Sequence, residues 1–260
     1  MKLRFVLLLV PLLASGAASL SQPAKLNPNA EADGQALVLQ LLANRPSAGA
    51  ATNRCVLNIR PPRGQGPRRT IPVAFHEVVA GGRWTSIYES APTNDSPRAR
   101  LTIVRKADTP NEYRIMHAPR SAGWDSPGKV LAGGETMVPF ADSDFWVADL
   151  GLEFLHWPTQ RLLKKEMTRG QSCNVLESVA PVAQTNGYVR VKSWLDIDTG
   201  GVVYAEAYDT AGRFVKEFAP KGLKKVNDAW EVEELEIINR QTGSRTRLLF
   251  DTADQPAAGN

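Results

Sequence analysis

Apolar and polar positions alternate with period two along most of this chain, and one aromatic-rich stretch at helical spacing interrupts the alternation. Cys55, Leu57 and Ile59 alternate with Arg54, Asn58 and Arg60, and Ile71, Val73 and Phe75 alternate with Pro72, Ala74 and His76, the code of strands with one buried face. Further strands are expected over 84–89, 98–106 and 112–117, joined by Gly81-Gly82 and by the turn-rich segments 92–97 and 108–111. In the second half Val189, Val191, Leu195 and Ile197 point away from Tyr188, Arg190, Lys192, Trp194 and Asp196. Turns at Thr199-Gly200-Gly201 and at Asp209-Thr210-Ala211-Gly212 then make a meander of 202–208 and 213–218. A strand over 230–239 follows, its apolar phase switching between Val232 and Leu235 as a bulge requires, and Gln241-Thr242-Gly243 turns the chain into 245–250.

The interruption runs from Met137 to Pro158. Trp146, Val147, Leu150 and Phe154 recur at one-turn spacing, Asp142-Ser143-Asp144 offers N-cap chemistry, and Pro158 stops the element, so a helix is expected over 142–154. On that reading Asp149 and Glu153 form its solvated face. The stripe either covers one face of a sheet or acts as a lid or plug over a ligand cavity, with Phe140, Phe145, Trp146, Leu150 and Phe154 contributing to the cavity or its cover. Gly151 would let that helix bend or end. A short amphipathic helix is also expected over 36–42, ending before Arg45-Pro46. Strands follow strands with short turns, which excludes a parallel α/β architecture. The expected fold is mainly β with a few helices: a curved antiparallel sheet forming an unclosed barrel that wraps around lid or plug helices.

Lys2 and Arg4, an apolar run over 5–13 and small residues through Ser19 read as a secretory signal over 1–19, too short to span a bilayer. Residues 20–49 then form a leader with a short helix, 50–251 a single domain and 252–260 a frayed tail. Without Lys2 and Arg4 the basic count falls from 31 to 29 against 27 acidic residues, which is not a nucleic-acid binder's balance. Basic residues do cluster over 60–69, RPPRGQGPRR, but Pro and Gly make this a loop without aromatic residues to stack on bases. It reads as a solvated hairpin tip, with contact to acidic lipid headgroups as the lesser alternative. In an oxidising compartment Cys55 and Cys173 could form one disulfide; two buried thiols are the alternative.

The chain has no G-x-S-x-G turn to present a nucleophile, and His76, His117 and His156 lack metal-ligand spacing. Gly133-Gly134-Glu135-Thr136 lacks the lysine of a phosphate loop. The carboxylates Asp142, Asp144, Asp149 and Glu153 could pair as acid and base, but helix-dipole and surface roles account for them better. Neither catalysis, a metal nor a cofactor is expected.

The stretches FADSDFWVADL, TRGQSCNVLESVAP, YVRVKSWLDIDTGGVVYAEAYDTAGRFVKEF and WEVEELEIINRQTGSRTRLLF together resemble the larger branch of the LolA-like outer-membrane lipoprotein-sorting proteins. They arrive as an acidic-aromatic helix, a cysteine-containing strand, a W-L-D strand, a Y-D-x-x-G turn with a lysine after it, and a T-G-x-x-T hairpin. The resemblance implies an unclosed antiparallel barrel around helices, exported to the periplasm, with an apolar cavity that shields acyl chains. Its implied partner is a lipid or lipoprotein cargo; the alternative is an envelope sensor or structural protein that uses the same fold to bind a protein.

Overall fold

The computed structural model describes residues 27–43, 48–93, 97–106, 109–119, 123–124, 127–181, 187–226 and 229–251. The proposed signal over 1–19 and tail over 252–260 lie outside the described residues. Helix α1 (Ala30–Ala43) leads into strands β1 (Gly49–Arg60), β2 (Arg69–Ala80), β3 (Arg83–Ser90), β4 (Arg98–Arg105), β5 (Glu112–Ala118) and β6 (Lys129–Leu131). A crossing segment follows: a 3₁₀ turn at Gly133–Thr136, helix α2 (Val147–Gly151) and a second 3₁₀ turn at Glu153–His156. Strands β7 (Thr159–Thr168), β8 (Gln171–Val179), β9 (Arg190–Asp196), β10 (Val202–Tyr208), β11 (Phe214–Val226), β12 (Ala229–Asn239) and β13 (Arg245–Asp251) complete the chain.

These strands form one antiparallel sheet of order β6-β5-β4-β3-β2-β1-β13-β12-β11-β10-β9-β8-β7. Two meanders are thus joined where β13 returns to pair with β1, Leu57 opposite Leu248 and Arg60 opposite Arg245. Because the free edges are β6 and β7, the crossing segment must travel from one edge of the sheet to the other. It does so over the inner face, where the sheet's curl would otherwise leave apolar side chains facing water. The sheet is an unclosed barrel, as the alternation predicts. The phase switch at Val232–Leu235 is also realised: the β11–β12 register shifts around Gly222, which stands opposite Glu234.

The inner face carries two adjoining apolar clusters. One gathers Leu57, Ile59, Ile71, Val73, Phe75, Tyr88, Leu101, Ile103, Ile237 and Leu248 around Phe140, Phe145, Val147 and Leu150. The other packs Val38 of α1 with Ala148, Phe154, Leu155, Trp157, Tyr188, Val191 and Leu195. Helix α1 begins nearly two turns earlier than its apolar pattern indicates and packs on β7, a strand the period-two pattern does not announce. Their approach is close: a Cβ on Gly34 would stand 2.5 Å from the Gln160 carbonyl oxygen.

The structure does not join Cys55 to Cys173. Cys55 lies in the inner cluster with Leu57 and Ile59, whereas Cys173 packs with Val175 and Trp194, neighbours of the inward Leu176 and Ser193 and so on the outer face. Six strand spacings along the sheet, and its thickness, separate them. A disulfide requires Cα atoms within about 7 Å.

The Gly34 contact sets a test of sign. Glycine to alanine inside a helix ordinarily stabilises by about 0.5–1 kcal/mol. Gly34→Ala should instead destabilise by about 1–3 kcal/mol in urea titration, because α1 must lift off β7; a stabilised variant would show that the helix does not sit on that strand.

Candidate functional site

The chemistry of this protein concentrates on the crossing segment 137–157 and the strands that hold it. The expected helix over 142–154 is not formed as such. Only Val147–Gly151 is α-helical; Pro139 and Trp146 instead make an isolated β-bridge, and Leu152 adopts a left-handed backbone (φ 51°) that ends the helix. The reason is competition from tertiary hydrogen bonds. Asp144, expected at an N-cap, accepts hydrogen bonds from Ser244 Oγ (2.5 Å) and Thr246 Oγ1 (2.8 Å) of the β12–β13 hairpin, while its own N–H donates to Thr246 Oγ1 (3.0 Å). The cap role falls to Asp149, whose Oδ2 accepts the Trp146 N–H at 2.7 Å. Gly151 is needed for a different reason from bending: a Cβ there would collide with the Tyr113 ring.

Asp149 is not on a solvated face. It is 9% exposed and pairs with Lys216 Nζ at 2.7 Å, and Lys216 is itself 3% exposed. The Lys216 ammonium also donates to the Asp144 carbonyl (2.9 Å) and stands 3.7 Å from the centroid of the Trp146 ring, so its three N–H directions all find acceptors. The Tyr188 hydroxyl donates to Asp149 Oδ1 at 2.7 Å, and the Tyr188 ring stacks on Trp146 with centroids 5.6 Å apart. Burial pushes the Lys216 ammonium below the ordinary lysine range, against the pull of Asp149 in the other direction. Burial, then the Asp149 charge, raises the Tyr188 hydroxyl well above the usual phenol range.

Further bonds hold the same segment at both ends. Arg105 Nη2 donates to the Leu150 carbonyl (3.1 Å) and Nη1 to Ser86 Oγ (2.8 Å). Asn111 Nδ2 donates to the Gly151 carbonyl (2.9 Å), and the Tyr113 hydroxyl donates to Glu153 Oε2 (2.8 Å). Buried Gln160 donates to the Phe154 and Trp157 carbonyls (2.9 and 2.8 Å) and accepts from Ser178 Oγ (2.7 Å).

The five residues singled out from the sequence are divided between the two clusters. Phe140, Phe145 and Leu150 enter the first, at 1%, 0% and 8% exposure, while Phe154 belongs to the second and Trp146 packs against it. Two spaces meet at Lys216. Leu152, Phe154, Tyr188, Val191, Ala205 and Phe218 line a cavity of about 20 Å³ that Asp149 and Lys216 also reach, room for about one water. Trp146 and Lys216 line a second pocket, of about 250 Å³, with Asp209, Arg213, Asn239 and Gln241. The concave side is therefore filled by side chains, and the crossing segment is its plug. Sequence reasoning missed Lys216, Tyr188 and Tyr113; the one available signal was the lysine that follows the Y-D-x-x-G turn.

Removing one partner of the buried pair should be costly. Lys216→Met leaves the Asp149 carboxylate buried without its cation and should destabilise the protein by about 3–5 kcal/mol in denaturant titration, and Asp149→Leu added to it should recover a large part. Independent loss in the double variant would show that the two side chains are not coupled.

A pH test follows from the last turn of the plug. Burial pushes the Glu153 carboxyl up to about 6 from 4.5, partly offset by the Tyr113 hydrogen bond. Between those values the folded state holds the proton more tightly, so this contribution is fully present below pH 4.5 and is lost as pH rises through 6. Burial, then the Arg105 charge, holds His156 down at about 4 from 6.5, so its contribution is present above pH 6.5 and is lost as pH falls through 4. Relative to Glu153→Gln, the native protein should therefore gain about 1 kcal/mol between pH 7 and pH 4.5, after discounting for partial exposure. His156→Gln should shift the comparison in the opposite sense.

A family model described as "-like: Uncharacterized protein" matches residues 126–256, just over half of the chain. A DUF1329 family protein from Desulfovibrio piger shares the fold at 17% identity with a TM-score of 0.66, over 86% of this chain and 94% of that one. A protein from Vibrio parahaemolyticus assigned as an outer membrane lipoprotein-sorting domain does so at 19% identity with a TM-score of 0.66, over the same shares of the two chains. A LolA superfamily protein from Nitrosomonas europaea is similar at 14% identity with a TM-score of 0.57, again over 86% and 94%. No curated protein matches. The chain belongs to the family of that model, which spans the plug and the whole returning meander, and its unclosed antiparallel barrel has the LolA-like fold of those solved structures.

Proposed function

We propose that this protein is a non-catalytic periplasmic binding protein that holds a lipid, or the acyl chains of a lipoprotein, against the inner face of its sheet. A secretory leader over 1–19 would export it, and 50–251 would act as one domain. The observation that carries this reading is that a pocket of about 250 Å³ lined by Trp146 and Lys216 meets, at Lys216, a mostly apolar void of about 20 Å³. An acyl chain does not fit the void as it stands. It fits if the crossing segment lifts and Phe140, Phe145, Trp146, Leu150 and Phe154 give up their places or fold over the chain as its cover. The fold shared with an outer membrane lipoprotein-sorting domain and a LolA superfamily protein supports the same reading. Among the described residues no helix is long and apolar enough to cross a membrane.

The plug's attachment to the β12–β13 hairpin can be loosened without touching the apolar clusters. Ser244→Ala with Thr246→Val removes the donors to Asp144, each a charge-assisted bond of about 1.5–3 kcal/mol. Uptake of a fluorescent long-chain fatty acid by this variant should be at least about tenfold faster than by the native protein, through a larger open population. If neither protein takes up the probe, and native mass spectrometry of gently purified protein shows no bound lipid, the core is permanently closed and the carrier reading fails.

A further inference from the structure

The loop between β1 and β2 borders a cleft of about 430 Å³. Arg60, Arg68, Arg69, Arg245 and Arg247 line it, with Asn58, Ile59 and Thr70 and no carboxylate. Strand register explains why cations so far apart in sequence meet. Arg60 stands opposite Arg245 and Asn58 opposite Arg247 across the β1–β13 seam, and Asn58 also pairs with Thr70 of β2. The alternation that turns Leu57, Ile59 and Leu248 inward turns Asn58, Arg60, Arg245 and Arg247 outward.

These arginines are not all neutralised within the protein. Arg247 pairs with Glu236 (2.8 Å) and Glu234 (3.2 Å), Arg245 lies 3.5 Å from Glu236, and Arg69 donates to the Asp142 carbonyl (2.8 Å). Exposed Arg60 and Arg68 have no hydrogen-bond or ion-pair partner among the described residues. Like charges gathered across adjacent strands repel. A polar cleft walled by several forked guanidinium groups is an anion site, since each fork can grip two oxygens of one phosphate or carboxylate. Ile59 is the sole apolar residue in its lining, so it lacks the aromatic anchor of a protein hot spot, and it lacks the stacking platform that single-stranded nucleic acid needs.

The position of the cleft selects the occupant. Arg69 holds the Asp142 carbonyl at the start of the plug, and Arg245 begins the second strand of the β12–β13 hairpin, whose Asn239 and Gln241 line the pocket at Trp146 and Lys216. The cleft and that pocket, which serves here as the mouth of the barrel, thus share one rim. We propose that the arginine cleft docks this rim onto the phosphate headgroups of an anionic bilayer, setting the mouth against the lipid surface. It takes the carrier reading further but does not depend on it: a protein that docks and takes up no acyl chain overturns that reading and leaves this one standing.

The test is vesicle co-sedimentation of the full protein at low ionic strength. Vesicles of phosphatidylglycerol and phosphatidylcholine are compared with phosphatidylcholine alone. The expected result is binding to the anionic vesicles, reduced at least about 25-fold in Arg60→Glu/Arg68→Glu and weakened by salt within the ordinary screening length. Arg83→Glu/Lys165→Glu carries the same change in net charge away from the cleft and should bind nearly as the native protein does. Circular dichroism of both variants checks the fold. Equal loss in the two double variants would reduce the effect to diffuse charge and overturn the proposal, as would failure of the native protein to bind the anionic vesicles. Calorimetry with inorganic phosphate supplies the last arm: binding as tight as that to vesicles would assign the cleft to a soluble anion and overturn docking.

Discussion

A long antiparallel sheet that curls without closing has an inner face that must be covered, and that single constraint organises this molecule. Thirteen strands expose an apolar row along their inner side, and the two free edges lie at β6 and β7, which are consecutive in the chain. Whatever joins those two strands has to cross the concavity. The residues that do so are accordingly apolar, with Phe140, Phe145, Val147, Ala148, Leu150 and Phe154 almost fully withdrawn from water. Covering the sheet and blocking its cavity are one event, performed by one segment.

That economy sets the energetics of any exchange. Burial of Phe140, Phe145, Val147, Leu150 and Phe154 is worth about 10 kcal/mol at about 2 kcal/mol per side chain. An acyl chain of about sixteen carbons brings about 12 kcal/mol if it is buried in their stead, at about 0.8 kcal/mol per methylene. The two are close enough that neither state of the inner face is ruled out by hydrophobic burial alone. The balance is then set by the directional interactions on the plug, from Ser244 and Thr246 to Asp144, from Lys216 to Asp149, and from Arg105 to the Leu150 carbonyl.

Period-two alternation made most of the sheet legible from the residues, because each of those strands has one wet face and one dry face. Val202–Tyr208 is found with the bounds the pattern assigns to it, and the phase switch near Val232 marks a real register shift. Strand β7 escaped notice because Leu162, Leu163, Lys164 and Lys165 break the alternation beside a bulge at Leu162/Lys164. The plug was legible as apolar but not as irregular. Its stripe does obey helical spacing, yet Asp144 and Asp149 satisfy partners on distant strands instead of capping or solvating a helix. Local pattern carries no information about a hydrogen bond to a residue about a hundred positions away. Cys55 and Cys173 illustrate the same limit: both occupy strand-like runs, but only register and sheet order reveal opposite faces six strands apart.

The buried Lys216–Asp149 pair makes sense in this light as a device for position rather than for strength. Taking both charges out of water cancels much of their attraction, so a well-packed apolar pair of the same volume would stabilise the closed state at least as well. An apolar pair, however, would tolerate the plug sliding along the sheet, since one greasy contact resembles the next. The ammonium is satisfied only when the Asp149 carboxylate, the Asp144 carbonyl and the Trp146 ring converge on it together. Any displacement strands at least one charge in an apolar surrounding, at a cost of several kcal/mol. The arrangement in the structure is thereby held at a single position along the sheet.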